Sequence, residues 1–285
     1  MERGVLRKIT ALCIICGLAA LALLGATAFR DEHRPWKHYQ EDYKKLLLKK
    51  VSHEANPVLY ERVVEMKPEI KQVVVDGLGS VDRCTTCHLG IEDPSFIDAP
   101  QPLTTHPDLA LLKKHPVEKF GCTICHGGQG VATTYEGASH RTLAHWPHPM
   151  VKKSLMQSRC GYCHNKYQAI GADKLALGQK LFKAMHCSGC HKVDSAGGSI
   201  APALSAFADK DVAAFDFSHI DGDHSKQEWV LEHYRNPEKV SPGSPMRIFA
   251  MNDYQIEALS TYVLSLSKRD FPIRYYSKKK LASIK

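Results

Sequence analysis

The stretch GCTICHGGQG, from Gly121 to Gly130, contains two cysteines that are separated by two residues and followed at once by a histidine. The same C-x-x-C-H pattern occurs four times in the chain. Its copies are Cys84-Thr-Thr-Cys87-His88, Cys122-Thr-Ile-Cys125-His126, Cys160-Gly-Tyr-Cys163-His164 and Cys187-Ser-Gly-Cys190-His191. The pattern uses eight of the ten cysteines, so the fold must be explained around it.

Three chemistries use a C-x-x-C pair: a zinc half-site, a redox dithiol and a covalent haem. Zinc has no need of a histidine directly after the second cysteine, and a redox dithiol needs one pair rather than four. Haem attachment does need this order, because the two thiols bond the porphyrin and the adjacent histidine then ligates the iron. With 16 histidines in 285 residues, four such placements by chance have a joint probability of about 10⁻⁵. The sequence predicts four covalently bound haem c groups, and paired zinc sites remain the alternative.

The formal net charge of +8 would ordinarily favour nucleic acid or an anionic membrane as a partner. Four haems would contribute about −8 through their propionates and nearly cancel this excess. We therefore expect no nucleic-acid partner.

The N-terminus carries 21 uncharged residues, Ile9 to Phe29, after a basic flank. A run of this length predicts a transmembrane helix, although Ala26-Thr27-Ala28 also resembles a signal-peptidase site, which leaves a cleaved signal as an alternative. Both readings export the rest of the chain. We expect a single-pass anchor in the cytoplasmic membrane with the haem domains on the periplasmic side. Cys13 and Cys16 lie inside the apolar run, where they act as small hydrophobic residues.

The expected fold class is mainly α with much irregular structure. The first three motifs begin 38 residues apart, in sequence rich in Gly, Pro and His. The predicted organisation is a transmembrane anchor over 1–30, a helical stalk over 31–80, a loop-rich trihaem region over 81–168, a monohaem domain over 169–268 and a basic tail over 269–285.

The fourth motif follows GADKLALGQKLFKAMHCSGCH, which has the apolar spacing of an amphipathic helix, and Asp253 to Arg269 has the same spacing. Pro202 and the loop SPGSPMRIF lie between them. Residues 171–268 resemble a class I monohaem cytochrome c domain. The resemblance implies that Met246 is the second axial ligand of the fourth haem, with Met251 the less favoured candidate. Arg247 departs from the family, which usually has proline after this methionine.

The first three haems have no methionine in a comparable loop, but spare histidines are abundant there. We predict His106, His115 and His140 as their distal ligands, which would give lower potentials than a His/Met pair. His145, His148 and His53 are reserves. The histidines expected to have no haem role are His33, His38, His186, His219, His224 and His233.

Residues 80–165, from VDRCTTCHLGIEDP to the third motif, resemble membrane-anchored multihaem cytochromes c that accompany bacterial quinol-oxidising complexes of the cytochrome b type. The resemblance implies an electron carrier without catalytic residues. Its partners would be cytochrome b-type or other integral membrane subunits of a respiratory complex, and a soluble electron carrier or terminal oxidase. The alternative is a periplasmic multihaem enzyme that acts on a small nitrogen compound or peroxide at a five-coordinate haem. A zinc scaffold is the third class.

Overall fold

The computed structural model describes residues 2–140, 146, 148–165, 167–269, 271–272 and 275. The fold is mostly helical, as predicted, with short 3₁₀ turns between the α-helices and one two-stranded sheet among these residues. The helices are α1 Glu2–Glu32, α2 Pro35–Lys50, α3 Pro57–Val64, α4 Leu109–Lys114, α5 Val117–Phe120, α6 Thr123–His126, α7 Asp173–Ala184, α8 Lys226–Arg235, α9 Pro237–Val240 and α10 Asp253–Val263.

Helix α1 is long and apolar enough to cross a membrane, which confirms the predicted apolar helix. Its uncharged stretch of 21 residues is about 32 Å long at the rise of an α-helix, and a bilayer core is about 30 Å thick. Its large apolar side chains are exposed, for example Leu12 and Leu23. The helix ends before Pro35, which occupies the first position of α2.

The chain, helix α1 included, divides into two compact units. The first unit contains the chain up to Gln72 together with Arg83–Lys113, and it carries the first C-x-x-C-H motif. The second contains Val73–Asp82 and the chain from Lys114 onward, and it carries the other three motifs.

A β-hairpin occupies the end of the segment that the sequence predicted as a helical stalk. Strand β1 (Val73–Val75) pairs antiparallel with β2 (Ser80–Asp82), with Val74 opposite Val81. Three consecutive β-branched residues favour a strand over a helix. The connection also contains Gly77 at φ +79° and Gly79 at φ +62°, which is the left-handed backbone that glycine adopts without strain.

In the second unit, helices α7 and α10 cross in close contact and form most of the core with α8. Gly178 makes this contact possible, because a Cβ atom there would lie 1.9 Å from the carbonyl oxygen of Ala258 in α10. Next to it the rings of Phe182 and Tyr262 pack with centroids 5.3 Å apart. Helix α10 begins at a capping box, in which Asn252 accepts from the backbone of Gln255 and the Gln255 side chain accepts in return.

The predicted basic tail begins as packed structure. Phe271 and Tyr275 are both 7% exposed and pack against Val75 of the hairpin. The hydroxyl of Tyr275 donates to the carbonyl oxygen of Asp76 at 2.5 Å. Residues 273–274 and 276–285 lie outside the described part of the chain, so the basic tail stays a prediction for them.

Candidate haem-binding sites

All four C-x-x-C-H motifs fold into the same single turn. In each, the backbone N–H groups of the second cysteine and of the histidine both donate to the carbonyl oxygen of the first cysteine, at 3.1–3.2 Å and 2.9–3.0 Å respectively. Residues three and four apart on such a turn lie on one face, so the two sulfur atoms and the imidazole can reach one ligand together. This common turn comes from local backbone hydrogen bonds that are the same in both units.

In the fourth motif the imidazole of His191 is oriented by the chain that follows it. Nδ1 of His191 lies 2.8 Å from the carbonyl oxygen of Pro202. A carbonyl oxygen can only accept, so Nδ1 carries the proton and Nε2 presents its lone pair to a metal. Gly198 allows the loop to close on the motif, because a Cβ there would lie 2.1 Å from the carbonyl oxygen of Gly189.

The two methionines considered for the other face of the fourth site both pack against the core of the second unit. Met246 and Met251 are each half-buried against this cluster. The backbone N–H of Met246 contacts the Ser244 hydroxyl oxygen at 3.3 Å. The choice of Met246 over Met251 therefore stays a prediction.

The first motif is held in its unit by Gln40 of α2, a residue that sequence reasoning did not single out. The buried Gln40 amide donates to the carbonyl oxygens of Glu69 at 2.7 Å and Thr86 at 2.9 Å, and it accepts from the Glu69 N–H at 2.9 Å. Thr86, inside the motif, is fully buried and exchanges two hydrogen bonds with the backbone of Lys71 through its hydroxyl. The sequence carries no periodic signal for such side-chain contacts with distant backbone.

Replacement of Gln40 by alanine is expected to lower the free energy of unfolding by about 2–3 kcal/mol, because one buried and two part-buried hydrogen bonds would be lost, at about 1 kcal/mol each. Chemical denaturation of the detergent-solubilised protein measures this change. Gln168→Ala is the matched control, since the Gln168 side chain is exposed. A loss at Gln40 no larger than at Gln168 would contradict the assigned role.

In the second motif, the buried carboxylate of Asp82 holds the turn. Asp82 is 1% exposed. One oxygen of its carboxylate accepts from the backbone N–H groups of Cys122 at 2.7 Å and Thr123 at 2.8 Å. These are the donors at the start of α6, where a carboxylate is favoured by the helix dipole. The hairpin thereby positions the Cys122 turn.

The turn of the third motif packs against the chain just after the end of α10. A Cβ at Gly161, between the motif cysteines, would lie 2.5 Å from Cβ of Ser265, so the two segments are in close contact. Next to His164 is a cavity of about 480 Å³ that is also lined by Tyr162, Lys268 and Arg269. This volume lies within the range of about 300–1,000 Å³ of small-molecule sites, and Asp194 also lines the cavity, so its walls carry charges of both signs.

The three predicted distal histidines have different surroundings. His106 lies in the unit of the first motif, with its backbone N–H donating to Ile91 at 2.9 Å. The ring of His115 lies 6.2 Å from that of His164, centroid to centroid. The ring of His140 stacks on Tyr135 at 4.8 Å, and burial lowers the pKa of His140.

Among the reserves, the carbonyl oxygen of His148 accepts from the backbone N–H of Gly128, just after the second motif, at 3.0 Å. Nε2 of the exposed His53 lies 3.6 Å from a carboxylate oxygen of Glu61. His145 lies outside the described residues.

His233 was expected to have no haem role, yet its environment is unusual. Its ring stacks on Trp229 at 4.6 Å, and its Nδ1 is buried without a hydrogen-bond partner among the described residues. Burial, and then the nearby His191, lower the pKa of His233 to about 4. The side chain is therefore a neutral imidazole at pH 7.

A family model described as Cytochrome c matches residues 175–267, about a third of the chain. The match confirms the class I cytochrome c-like domain and implies electron transfer through covalently bound haem c. The residues present fit that cofactor, because two thiols and an Nε2 with an available lone pair meet on one turn at Cys187–His191. Neither curated proteins nor solved structures gave a match to this chain.

Proposed function

We propose that the chain is a membrane-tethered tetrahaem c-type cytochrome that transfers electrons. The observation that carries the proposal is the common turn of all four C-x-x-C-H motifs, one of which belongs to the matched cytochrome c domain. The same local geometry at Cys84, Cys122 and Cys160 supports the same attachment chemistry there. Haem iron supplies a one-electron couple when bound.

The proposed axial ligands divide the sites into two kinds. His191 with Met246 would hold the fourth iron, whereas His88, His126 and His164 would each be paired with a second histidine from the set His106, His115 and His140. A thioether favours ferrous iron and raises the potential relative to a second imidazole. Electrons would therefore enter at the first three haems and leave through the fourth.

Helix α1 supports a single-pass membrane anchor. Covalent haem attachment is expected on the exported part of a chain, so the proposal places this anchor in the cytoplasmic membrane and the haem domains on its periplasmic side. In this setting the protein would be a subunit of a respiratory quinol-oxidising complex that passes electrons to a periplasmic carrier or terminal acceptor. Purification in mild detergent from the native membrane tests the assignment. Co-purification of a cytochrome b-type subunit is expected, and recovery of the tetrahaem chain alone would contradict it.

Carbon monoxide distinguishes the carrier from a haem enzyme. In a carrier, each iron has two protein ligands, so the reduced and undenatured protein binds no carbon monoxide. An enzyme needs an open position on the iron, where carbon monoxide can bind. We expect the absorption spectrum of the dithionite-reduced protein to stay unchanged under carbon monoxide. A shifted Soret band would favour the enzyme, and a colourless zinc-containing protein would establish the scaffold.

A further inference from the structure

We propose that His115 and His164 are the two axial ligands of a single iron, that of the haem attached at Cys160 and Cys163. This pairing rests on the proposed function. The rings of His115 and His164 lie with centroids 6.2 Å apart and planes inclined at 77°. The two histidines are distant in sequence, and both belong to the second unit.

The distance between the two ring centroids agrees with ligation of one ion by both rings. An imidazole nitrogen bonds a first-row transition metal at about 2.0–2.1 Å, and the ring centre lies about 1.1 Å behind it, so two imidazoles on opposite sides of one ion have centroids about 6.2–6.3 Å apart. Packed aromatic rings cover a wider range, about 4.5–7 Å. The distance of 6.2 Å fits both ligation and packing. The two differ in the spectra that they predict, because only ligation keeps the iron low-spin.

The backbone fixes both histidines. The N–H of His164 donates to Cys160 at 2.9 Å within the motif turn. His115 precedes Pro116, whose carbonyl oxygen accepts from the backbone N–H groups of Lys119 and Phe120 at 3.0 Å and so begins α5. The Phe120 ring packs edge-on against the His115 imidazole, with the two ring centroids 5.3 Å apart.

One short segment would then serve two haems. Helix α5 leads through Gly121 directly into Cys122, so the segment that supplies His115 to the third haem also carries the attachment residues of the second. Helix α6, which contains Cys125 and His126, packs against the 3₁₀ helix Lys153–Tyr162 that leads into the third motif. The second and third haems are therefore neighbours in the electron path.

Electron paramagnetic resonance of the full-length ferric protein tests the pairing. In His115→Ala, one of four low-spin irons is expected to become high-spin and, once reduced, to bind carbon monoxide, while all four haems stay covalently attached. His224→Ala, at an exposed histidine, is the matched control and should leave all four irons low-spin. The effect of His115→Ala should vanish when Cys160 and Cys163 are also replaced by serine.

Four attached haems that all stay low-spin in His115→Ala would overturn the pairing and leave the tetrahaem function intact. Fewer than four haem masses on the wild-type chain would instead overturn the function. If His115→Ala does not assemble, the wild-type spectrum decides. Imidazole planes inclined at 77° would leave two iron orbitals nearly degenerate. The wild-type protein should therefore show a low-spin signal of large g anisotropy. This signal should be absent in the double variant Cys160→Ser/Cys163→Ser. Its persistence there would also overturn the pairing.

Discussion

Gly178→Ala is expected to lower the free energy of unfolding of the second unit by about 2–3 kcal/mol, the upper part of the range for overpacking a core. The added Cβ would lie 1.9 Å from the Ala258 carbonyl oxygen and 2.8 Å from Cβ of Tyr262, so α7 and α10 would have to separate. The loss should exceed the gain in helix propensity of about 1 kcal/mol for alanine over glycine. Denaturant titration of the detergent-solubilised protein, followed by its Soret absorption, measures the change.

Gly222→Ala is the matched control. A Cβ at Gly222 would meet its nearest neighbour, Cγ of Glu228, at 3.4 Å, which is ordinary contact, and its effect should stay within about 0.5 kcal/mol. Equal stability of the two variants would contradict the close crossing of α7 and α10.

Met246→His should lower the potential of the fourth haem by about 0.1–0.2 V, a modest part of the roughly 0.8 V that axial ligands span. An imidazole in place of a thioether stabilises ferric iron. The weak red absorption band of thioether-ligated ferric haem should also disappear. Potentiometric titration of the full-length protein should show the highest of the four steps moving down while the other three stay in place.

Met251→Leu is the matched control, since Met251 packs against the same core. It should leave both the red band and the highest potential unchanged. If Met251→Leu removes the band and Met246→His does not, Met251 is the ligand. A wild-type titration with the Met246 haem at the lowest potential would reverse the proposed direction of electron flow.

The parts of the fold that the sequence predicted have strong local signals. The apolar run from Ile9, the helix before Cys187 and the helix from Asp253 all have a composition or a 3.6-residue period that survives in the structure. The β-hairpin was missed because its strands have three residues each, too few for a period to be read. Pairing through a turn at Gly77 and Gly79 decides the conformation there.

The same distinction between local signals and tertiary contacts applies to the candidate sites. Each C-x-x-C-H turn is local and could be read from residue types alone. The amide of Gln40 bonds backbone 46 residues away, and the carboxylate of Asp82 reaches the second motif from the hairpin. The approach of His115 to His164 likewise depends on the tertiary fold. No sequence spacing relates such residues, so their contacts could be found only in the structure.

The mass of the denatured polypeptide tests the central claim most directly. Thioether bonds survive denaturation, whereas metal coordination does not. The chain should weigh four haem masses more before chemical cleavage of its thioethers than after it. Replacing both cysteines of any one motif by serine should reduce the difference to three. Equal masses before and after cleavage in the wild-type chain would contradict the account.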